Sequence, residues 1–355
     1  MTLDARGRQR PYWGMDLLNN TPRRPVSLPL DVPFPSVDAA RAALLVAQCP
    51  VAAVTPLASA PALAERAGIG ALHIKDERDR MGLGSFKALG AAYVIACDAA
   101  DGTAKGRTYV TASAGNHGMS VAAGAAAFGA RAVVYIAETV PESFAERLRA
   151  IGAEVRRDGA IYEDSMAAAL HAAEAEGFTL LSDSSWEGYY DRPHRLMEGY
   201  LVLMAEVIRQ MPQPPTHLFL QAGVGGLACA CATLARQAWG AAVQIVVVEP
   251  DAAPALNASV SAGKPVTTQG PASAMGRLDC KAPSLIALKG LARDADAFML
   301  ISEAEGAAGA DACAAQGLPS TPSGAAGIAG LIAGAQALGL DTQARVLCIL
   351  SEGPE

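Results

Sequence analysis

The chain has 355 residues, 51% hydrophobic and 18% charged, which suffices for one large or two medium domains and excludes general disorder. Lys and Arg number 28 against 35 Asp and Glu, so the formal net charge of −7 argues against a non-specific nucleic-acid binder. The 7 cysteines show no metal-ligand spacing and read as reduced thiols of a cytoplasmic protein; no apolar run follows Arg6, Arg8 and Arg10, and the stretch 121–136 is broken by Gly124, Gly129 and Arg131, so neither a signal peptide nor a membrane span is expected.

Residues before about 36 are rich in Pro, Arg and Asn and read as an extended arm, laid across the body or a neighbouring subunit. Apolar spacing predicts a helix over 37–47, and 63–67 reads as another, stopped by Gly68. Residues 72–75 form a short strand in which His73 faces a hydrogen-bond partner. A helix is expected over 85–98, then a turn at Asp101-Gly102. Strands at 109–111, 132–136, 154–156 and 179–182 alternate with helices at 117–128, 143–151 and 161–175, which predicts a parallel sheet. A long helix over 195–211 ends at Pro212, Pro214 and Pro215. Strand 218–220, a glycine loop, helix 227–239 and strand 244–248 are again α/β. Residues 257–283 are rich in small residues and read as irregular. Strand 297–301, helices 303–316 and 325–337, and buried strand 346–350 follow.

Three stretches concentrate the chemistry. Gly84-Ser85-Phe86-Lys87-Ala88-Leu89-Gly90 sets a lysine after an aromatic residue, at the mouth of a small-residue helix. A lysine amine forms Schiff bases once it is desolvated or set beside other positive charge. Ser113-Ala114-Gly115-Asn116-His117-Gly118 and Gln221-Ala222-Gly223-Val224-Gly225-Gly226-Leu227 each follow an apolar strand and open a helix. Backbone N–H groups at such turns bind anions, one suited to a carboxylate and one to a phosphate. An amine-reactive lysine with two such sites is what an enzyme using pyridoxal phosphate requires. Gly223, Gly225 and Ala228, with Glu249 ending the next strand, also fit a loose nicotinamide-dinucleotide fingerprint, but that reading leaves Lys87 and the 113–117 turn unused. A non-catalytic carrier of the cofactor is another alternative, against which Lys87 and Ser351 argue.

In this order the three stretches resemble the pyridoxal-phosphate-dependent β-eliminating enzymes of fold type II, the serine/threonine dehydratase-like family, and within it the diaminopropionate ammonia-lyases. The resemblance runs from about 66 to 351 and includes Lys75-Asp76-Glu77-Arg78 and Trp186-Glu187-Gly188-Tyr189. It implies an α/β fold of two open, twisted, mostly parallel sheets with flanking helices, like the β subunit of tryptophan synthase, with the cofactor in the interdomain cleft. It implies a large domain over 1–104 and 183–355, with a small mobile domain over 105–182 inserted in it. The implied reaction is α,β-elimination of L-2,3-diaminopropionate to pyruvate and ammonia. Dehydration of L-serine, L-threonine or another 3-hydroxy amino acid is the alternative. A homodimer is expected, as for most symmetric enzymes.

Residue by residue, the resemblance makes Lys87 the Schiff-base lysine and proton shuttle, with Phe86 packed beside the cofactor ring. Gly223, Val224, Gly225, Gly226 and Leu227 would cradle the phosphate through their N–H groups. Ser351 would meet the pyridine nitrogen and Asn116 the phenolic oxygen. Ser113, Ala114 and His117 would line the substrate carboxylate. Asp183, with Tyr189 and its neighbours Glu187 and Tyr190, is carried into the active-site region, where a carboxylate suits a cationic β-amino group. Arg277 lies in a loop that touches the substrate side in relatives. Diaminopropionate ammonia-lyases that accept the D isomer carry an aspartate where Ala114 stands, so the chain is expected to be L-selective. The Ser-Ala-Gly-Asn-His form is also common in threonine dehydratases. No metal ligand is assigned.

Overall fold

The computed structural model describes residues 16–20 and 28–354. Most of the arm expected before residue 36 therefore lies outside the described residues. In chain order the elements are β1 (Asp16–Asn19), α1 (Ala39–Val46), β2 (Leu57–Ser59), α2 (Pro61–Ala67), β3 (Ala71–Asp76), α3 (Ala88–Ala100), β4 (Thr108–Ala112), α4 (Asn116–Ala127), β5 (Arg131–Ile136), α5 (Glu142–Ala150), β6 (Glu154–Arg157), α6 (Tyr162–Ala175), β7 (Thr179–Leu180), α7 (Asp191–Gln210), β8 (His217–Gln221), α8 (Gly226–Trp239), β9 (Gln244–Pro250), α9 (Ala255–Ala262), α10 (Leu285–Asp294), β10 (Ala297–Ile301), α11 (Glu303–Ala314), α12 (Ala326–Gly334) and β11 (Arg345–Leu350). Two compact units result. The first comprises the described residues before 38 with 55–78 and 204–355; the second comprises 38–54 and 79–203. No helix among the described residues is long and apolar enough to cross a membrane.

The first unit is built on a seven-stranded sheet in the order β1-β10-β9-β8-β11-β3-β2. Its centre is parallel, and the edge strands β1 and β2 run antiparallel to β10 and β3. The central strands are continuous apolar runs because both faces of a parallel sheet are covered. Small residues let helices lie close on it. At Gly330 of α12, a Cβ would stand 2.8 Å from Val248 Cγ2. Residues 28–35, the described end of the expected arm, are tied to α10: the Lys289 ammonium donates to Leu30 O at 2.9 Å and Val32 O at 2.6 Å. Phe34 stacks under Lys289 and Arg293, 4.4 and 4.5 Å from its ring centre. Two helices correct the sequence reading: α9 occupies part of the stretch read as irregular, and α10 occupies a stretch given no element.

The second unit carries a four-stranded, wholly parallel sheet in the order β6-β5-β4-β7. This is the alternating series expected from the sequence. Helices α3, α4 and α7 pack at glycine. A Cβ at Gly199 would lie 2.3 Å from Leu89 O, one at Gly90 2.7 Å from the Tyr200 ring, and one at Gly124 3.0 Å from Ile95 Cδ1. Asp98, buried at the end of α3, accepts from Tyr109 Oη at 2.8 Å and Arg192 Nη1 at 3.0 Å. Two boundaries differ from expectation. Helix α7 starts at Asp191 rather than 195, because Pro193 falls in the first turn, where no intrahelical N–H bond is needed. Helix α3 starts at Ala88 rather than Ser85: residues 85–87 form a tight turn with i→i+3 bonds from Ala88 N to Ser85 O and Leu89 N to Phe86 O.

Buried charge is confined to satisfied clusters. Lys75, with no exposed surface, donates to Thr55 O at 2.8 Å, Glu206 Oε2 at 2.6 Å and Gln210 Oε1 at 2.9 Å. Glu249 ends β9 and accepts from Leu256 N at 2.7 Å and Asn257 N at 2.8 Å, which caps α9. Burial nevertheless raises its carboxyl to about 8, with the two N–H donors pulling the other way.

Two outcomes follow. Lys75→Met strands the Glu206 carboxylate and lowers stability by about 3–5 kcal/mol, while Lys75→Met with Glu206→Leu recovers most of it, as read by denaturant unfolding. A carboxyl raised on folding binds its proton more tightly in the folded state. Its contribution is complete below the unfolded carboxyl range and is lost as pH rises to the folded value. Unfolding stability therefore falls between about pH 5 and pH 8, with a shallower slope in Glu249→Gln.

Candidate active site

Lys87 stands in the second unit, where the tight turn at 85–87 meets α3. Its backbone is fixed from below: Ser120 Oγ on α4 donates to Lys87 O at 2.7 Å. Its side chain reaches up past two rings, with Nζ 5.4 Å from the Phe86 ring centre and 6.0 Å from that of Tyr200. The two rings meet edge to face at 4.9 Å. The Lys87 ammonium donates to Asp183 Oδ2, and about a fifth of each side chain is exposed. Burial by itself would raise the Asp183 carboxyl. The Lys87 charge and the hydrogen bond from Lys87 outweigh it and hold the group well below the usual carboxylate range. Asp183 is thus an anion, paired with the amine.

Asp183 follows β7, and Tyr189 clamps that strand end. The Tyr189 hydroxyl donates to Leu180 O at 2.9 Å and accepts from Ser182 N at 3.1 Å, so both of its polar functions are used on backbone. Its ring stacks on Trp186 at 4.5 Å. Glu187 is exposed. His117, in the first turn of α4, is buried, and its Nε2 donates to Leu181 O at 2.8 Å. Burial lowers its basicity; the Asp183 charge pulls the other way, and the Lys87 charge adds to the lowering. The ring is therefore neutral with a bare lone pair on Nδ1, which is buried and has no partner. The turn before α4 is close-packed: Ser113 Oγ accepts from Gly115 N at 3.3 Å, and a Cβ at Gly118 would come 2.1 Å from Ser113 O. Ala114 is half-buried beside Ser113, and Asn116 opens α4.

Tyr200 and Ser120 escaped the sequence reading. The Tyr200 hydroxyl is buried without a hydrogen-bond partner, pushed up to about 12 by burial and pulled back by the Lys87 charge. No local motif signals it; it comes to the lysine from more than a hundred residues away in sequence, on α7.

The first unit carries the glycine loop and Ser351. Gly225 caps α8 with φ +100°, a left-handed conformation that favours glycine. A Cβ at Gly223 would stand 2.9 Å from Cys280 Sγ and 3.1 Å from Arg277 O. The N–H groups of Gly226 and Leu227 have no acceptor inside the helix, and the α8 dipole adds positive charge there. Val224 holds the loop by accepting from Ser284 N at 3.0 Å. Glu249, the acidic residue of the dinucleotide reading, has both oxygens engaged by α9. Ser351 follows β11, buried, with Oγ accepting from Gln221 Nε2 at 3.0 Å. Arg277 Nε lies 3.7 Å from the carboxylate of Glu352, next to Ser351.

The second unit thus brings Lys87, Phe86, Asp183, His117 and Tyr200 together, and the first brings the glycine loop to Gln221 and Ser351. Each unit by itself carries parts that suit pyridoxal phosphate: the second a half-shielded amine, the first a side-chain-free N–H cradle on a helix N-terminus and a buried neutral hydroxyl.

Comparison with known proteins agrees. The family of pyridoxal-phosphate dependent enzymes matches residues 50–352. Diaminopropionate ammonia-lyase of Salmonella typhimurium is 36% identical over 262 residues, which are 66% of this chain and 65% of that enzyme, just under two thirds of its length. A crystal structure of the Escherichia coli diaminopropionate ammonia-lyase with an aminoacrylate-PLP azomethine intermediate superposes with a TM-score of 0.86 at 28% identity, over 96% of this chain and 94% of that one; the same enzyme has also been seen in complex with D-serine. A biosynthetic L-threonine dehydratase of Pasteurella multocida is 33% identical over 216 residues, 61% of this chain and 40% of that enzyme. The chain belongs to the pyridoxal-phosphate dependent enzymes.

Proposed function

We propose that the protein eliminates ammonia from L-2,3-diaminopropionate, leaving pyruvate and a second ammonia. The observation that carries this reading is the ionised Asp183 paired with Lys87. Bound pyridoxal phosphate withdraws charge from the α-carbon of an attached amino acid. Lys87 is the residue that would hold it covalently, with Phe86 beside the ring and Asn116 at the phenolic oxygen. The N–H groups of Gly223, Val224, Gly225, Gly226 and Leu227 would hold its phosphate, and Ser351 its ring nitrogen.

The chain's own groups then divide the work. Lys87 Nζ takes the α-proton on its face of the substrate. Ser113 and the N–H groups opening α4 supply donors for the carboxylate. Asp183 and the bare Nδ1 of His117 are both acceptors and so suit a cationic β-amino group, which, already protonated, leaves as neutral ammonia when its bond to carbon breaks. A β-hydroxyl substrate presents no such cation. That contrast favours diaminopropionate over the alternative, dehydration of L-serine or L-threonine, and the similarity to diaminopropionate ammonia-lyases supports the same choice. Tyr189 positions the strand end that bears Asp183. The segment 105–182 is the part that would move as a small domain. The free thiols suit a cytoplasmic location, and a homodimer is the expected assembly.

Purified protein is expected to show a visible cofactor absorbance that Lys87→Ala abolishes together with turnover. Pyruvate release from L-diaminopropionate should exceed that from L-serine, and 2-oxobutyrate release from L-threonine; faster threonine turnover would instead establish a dehydratase. Asp183→Asn should lower kcat/KM for diaminopropionate roughly 10- to 100-fold more than for serine, the range of a charge-assisted hydrogen bond. Because Ala114 supplies no base, elimination from the D isomer should be slow, and Ala114→Asp should raise it; equal rates for D and L isomers in the unaltered protein contradict the expected L-selectivity.

A further inference from the structure

Tyr200 carries a hydroxyl that packing alone does not explain. The side chain is buried, and its Oη has no hydrogen-bond partner. A buried hydroxyl left unmet is destabilising, and phenylalanine would fill the same space without that cost. Helix α3 also gives up a side chain to admit it. A Cβ at Gly90 would stand 2.7 Å from Cε1, 2.9 Å from Cζ and 2.9 Å from Oη of Tyr200. The residue before it on α7, Gly199, is equally tight, with a Cβ there 2.3 Å from Leu89 O. The Phe86 ring, edge to face at 4.9 Å, closes another side. The phenol is therefore held in one place, with Lys87 Nζ 6.0 Å from its ring centre. The Lys87 charge lies close enough to pull back the pKa that burial raises, though no formed hydrogen bond joins the two groups.

We propose that Tyr200 is a positioning residue that accepts an N–H of Lys87 while that lysine takes the α-proton, so that Nζ presents its lone pair to the substrate in one direction. A neutral amine has two N–H bonds and one lone pair. Asp183 Oδ2 already accepts from Nζ, and Tyr200 Oη is the second fixed acceptor. With both N–H bonds held, the lone pair is what remains to meet the α-carbon. As Nζ takes the proton it becomes an ammonium, and its bond to Oη strengthens because the donor is now charged. The hydroxyl thus favours the change over the starting state. The electron pair of the broken C–H bond stays with the substrate, and the phenol gives up no proton. The proposal rests on Lys87 as the α-base and adds the group that aims it.

Holoenzyme carrying Tyr200→Phe tests it. Tritium release from α-tritiated L-diaminopropionate in a single turnover reads C–H cleavage directly. Release is expected to slow roughly tenfold, the difference between a neutral and a charge-assisted hydrogen bond. Substrate affinity and the visible cofactor band should match those of the unaltered protein. The midpoint of denaturant unfolding should stay the same or rise, because the unmet hydroxyl is gone. Release at the unaltered rate overturns the proposal. So does slowed release accompanied by a lower unfolding midpoint, a lost cofactor band or weakened substrate binding, any of which makes the hydroxyl structural. Should the unaltered protein release no tritium from diaminopropionate, the proposed substrate is what fails. The comparison is then read with α-tritiated L-serine, whose α-proton is taken in the same step.

Discussion

Two lysines separated by twelve positions show what the Lys87–Asp183 pair contributes. Lys75 is fully buried, and its three partners, a carbonyl, a carboxylate and an amide oxygen, match the three protons of an ammonium. It can be neither reached nor freed. Lys87 keeps about a fifth of its surface and has a carboxylate across from it and two ring faces beside it. A charge in that setting is held at one place without being saturated. Local geometry in the second unit converges on that setting. Gly90 and Gly199 bring α7 against α3 and with it the Tyr200 ring. Ser120 fixes the lysine carbonyl. Tyr189 fixes the strand end that delivers Asp183. A larger side chain at either glycine would push Tyr200 off the lysine or the helix off its neighbour.

Around its glycine loop the first unit is built differently, on backbone N–H groups and a neutral hydroxyl. Helix α8 supplies partial positive charge through unsatisfied N–H groups, and Gly223 and Gly225 keep the approach clear. Ser351 is neutral, and the nearby Arg277 guanidinium is matched by Glu352. Cys280 presses close to Gly223, which explains why this loop accepts no side chain there even though Val224, one residue on, is tolerated.

The parts that could be read from sequence are those encoded over a few residues. Alternating strands and helices in the second unit, the glycine loops, and the apolar runs of β8, β9 and β11 all carry local signals. The antiparallel edge strands β1 and β2 do not, because four and three residues become strands only through the partner beside them. Helix α10 has apolar residues at Leu285, Leu288 and Leu291, a helical spacing in a stretch to which the sequence reading gave no element. Pro193 suggested a later start for α7, although proline is compatible with a first turn. Within the site, Lys87 was visible from its neighbours. Its pairing with Asp183 joins residues 96 apart in the chain; the resemblance carried Asp183 into the active-site region but did not set it against Lys87. Tyr200 and the orientation of the Gln221 amide are products of packing between distant segments, and no local pattern predicts them.

The polarity of the groups around Lys87 bears on which leaving group the site would serve. A neutral imidazole whose Nε2 proton is committed to Leu181 offers only a lone pair, and Asp183 offers only negative charge. Two acceptors beside one another repel an incoming anion and stabilise a cation. A β-ammonium satisfies both, gives up no favourable hydration without return, and departs as neutral ammonia once the bond to carbon breaks. A β-hydroxyl brings a single proton to two acceptors and must still be protonated to leave as water. Its natural partner would be an acid, and in this unit the acid within reach is Lys87 itself, already assigned to the α-proton. That contrast in charge is the physical ground of the proposed preference for the amine over the alcohol.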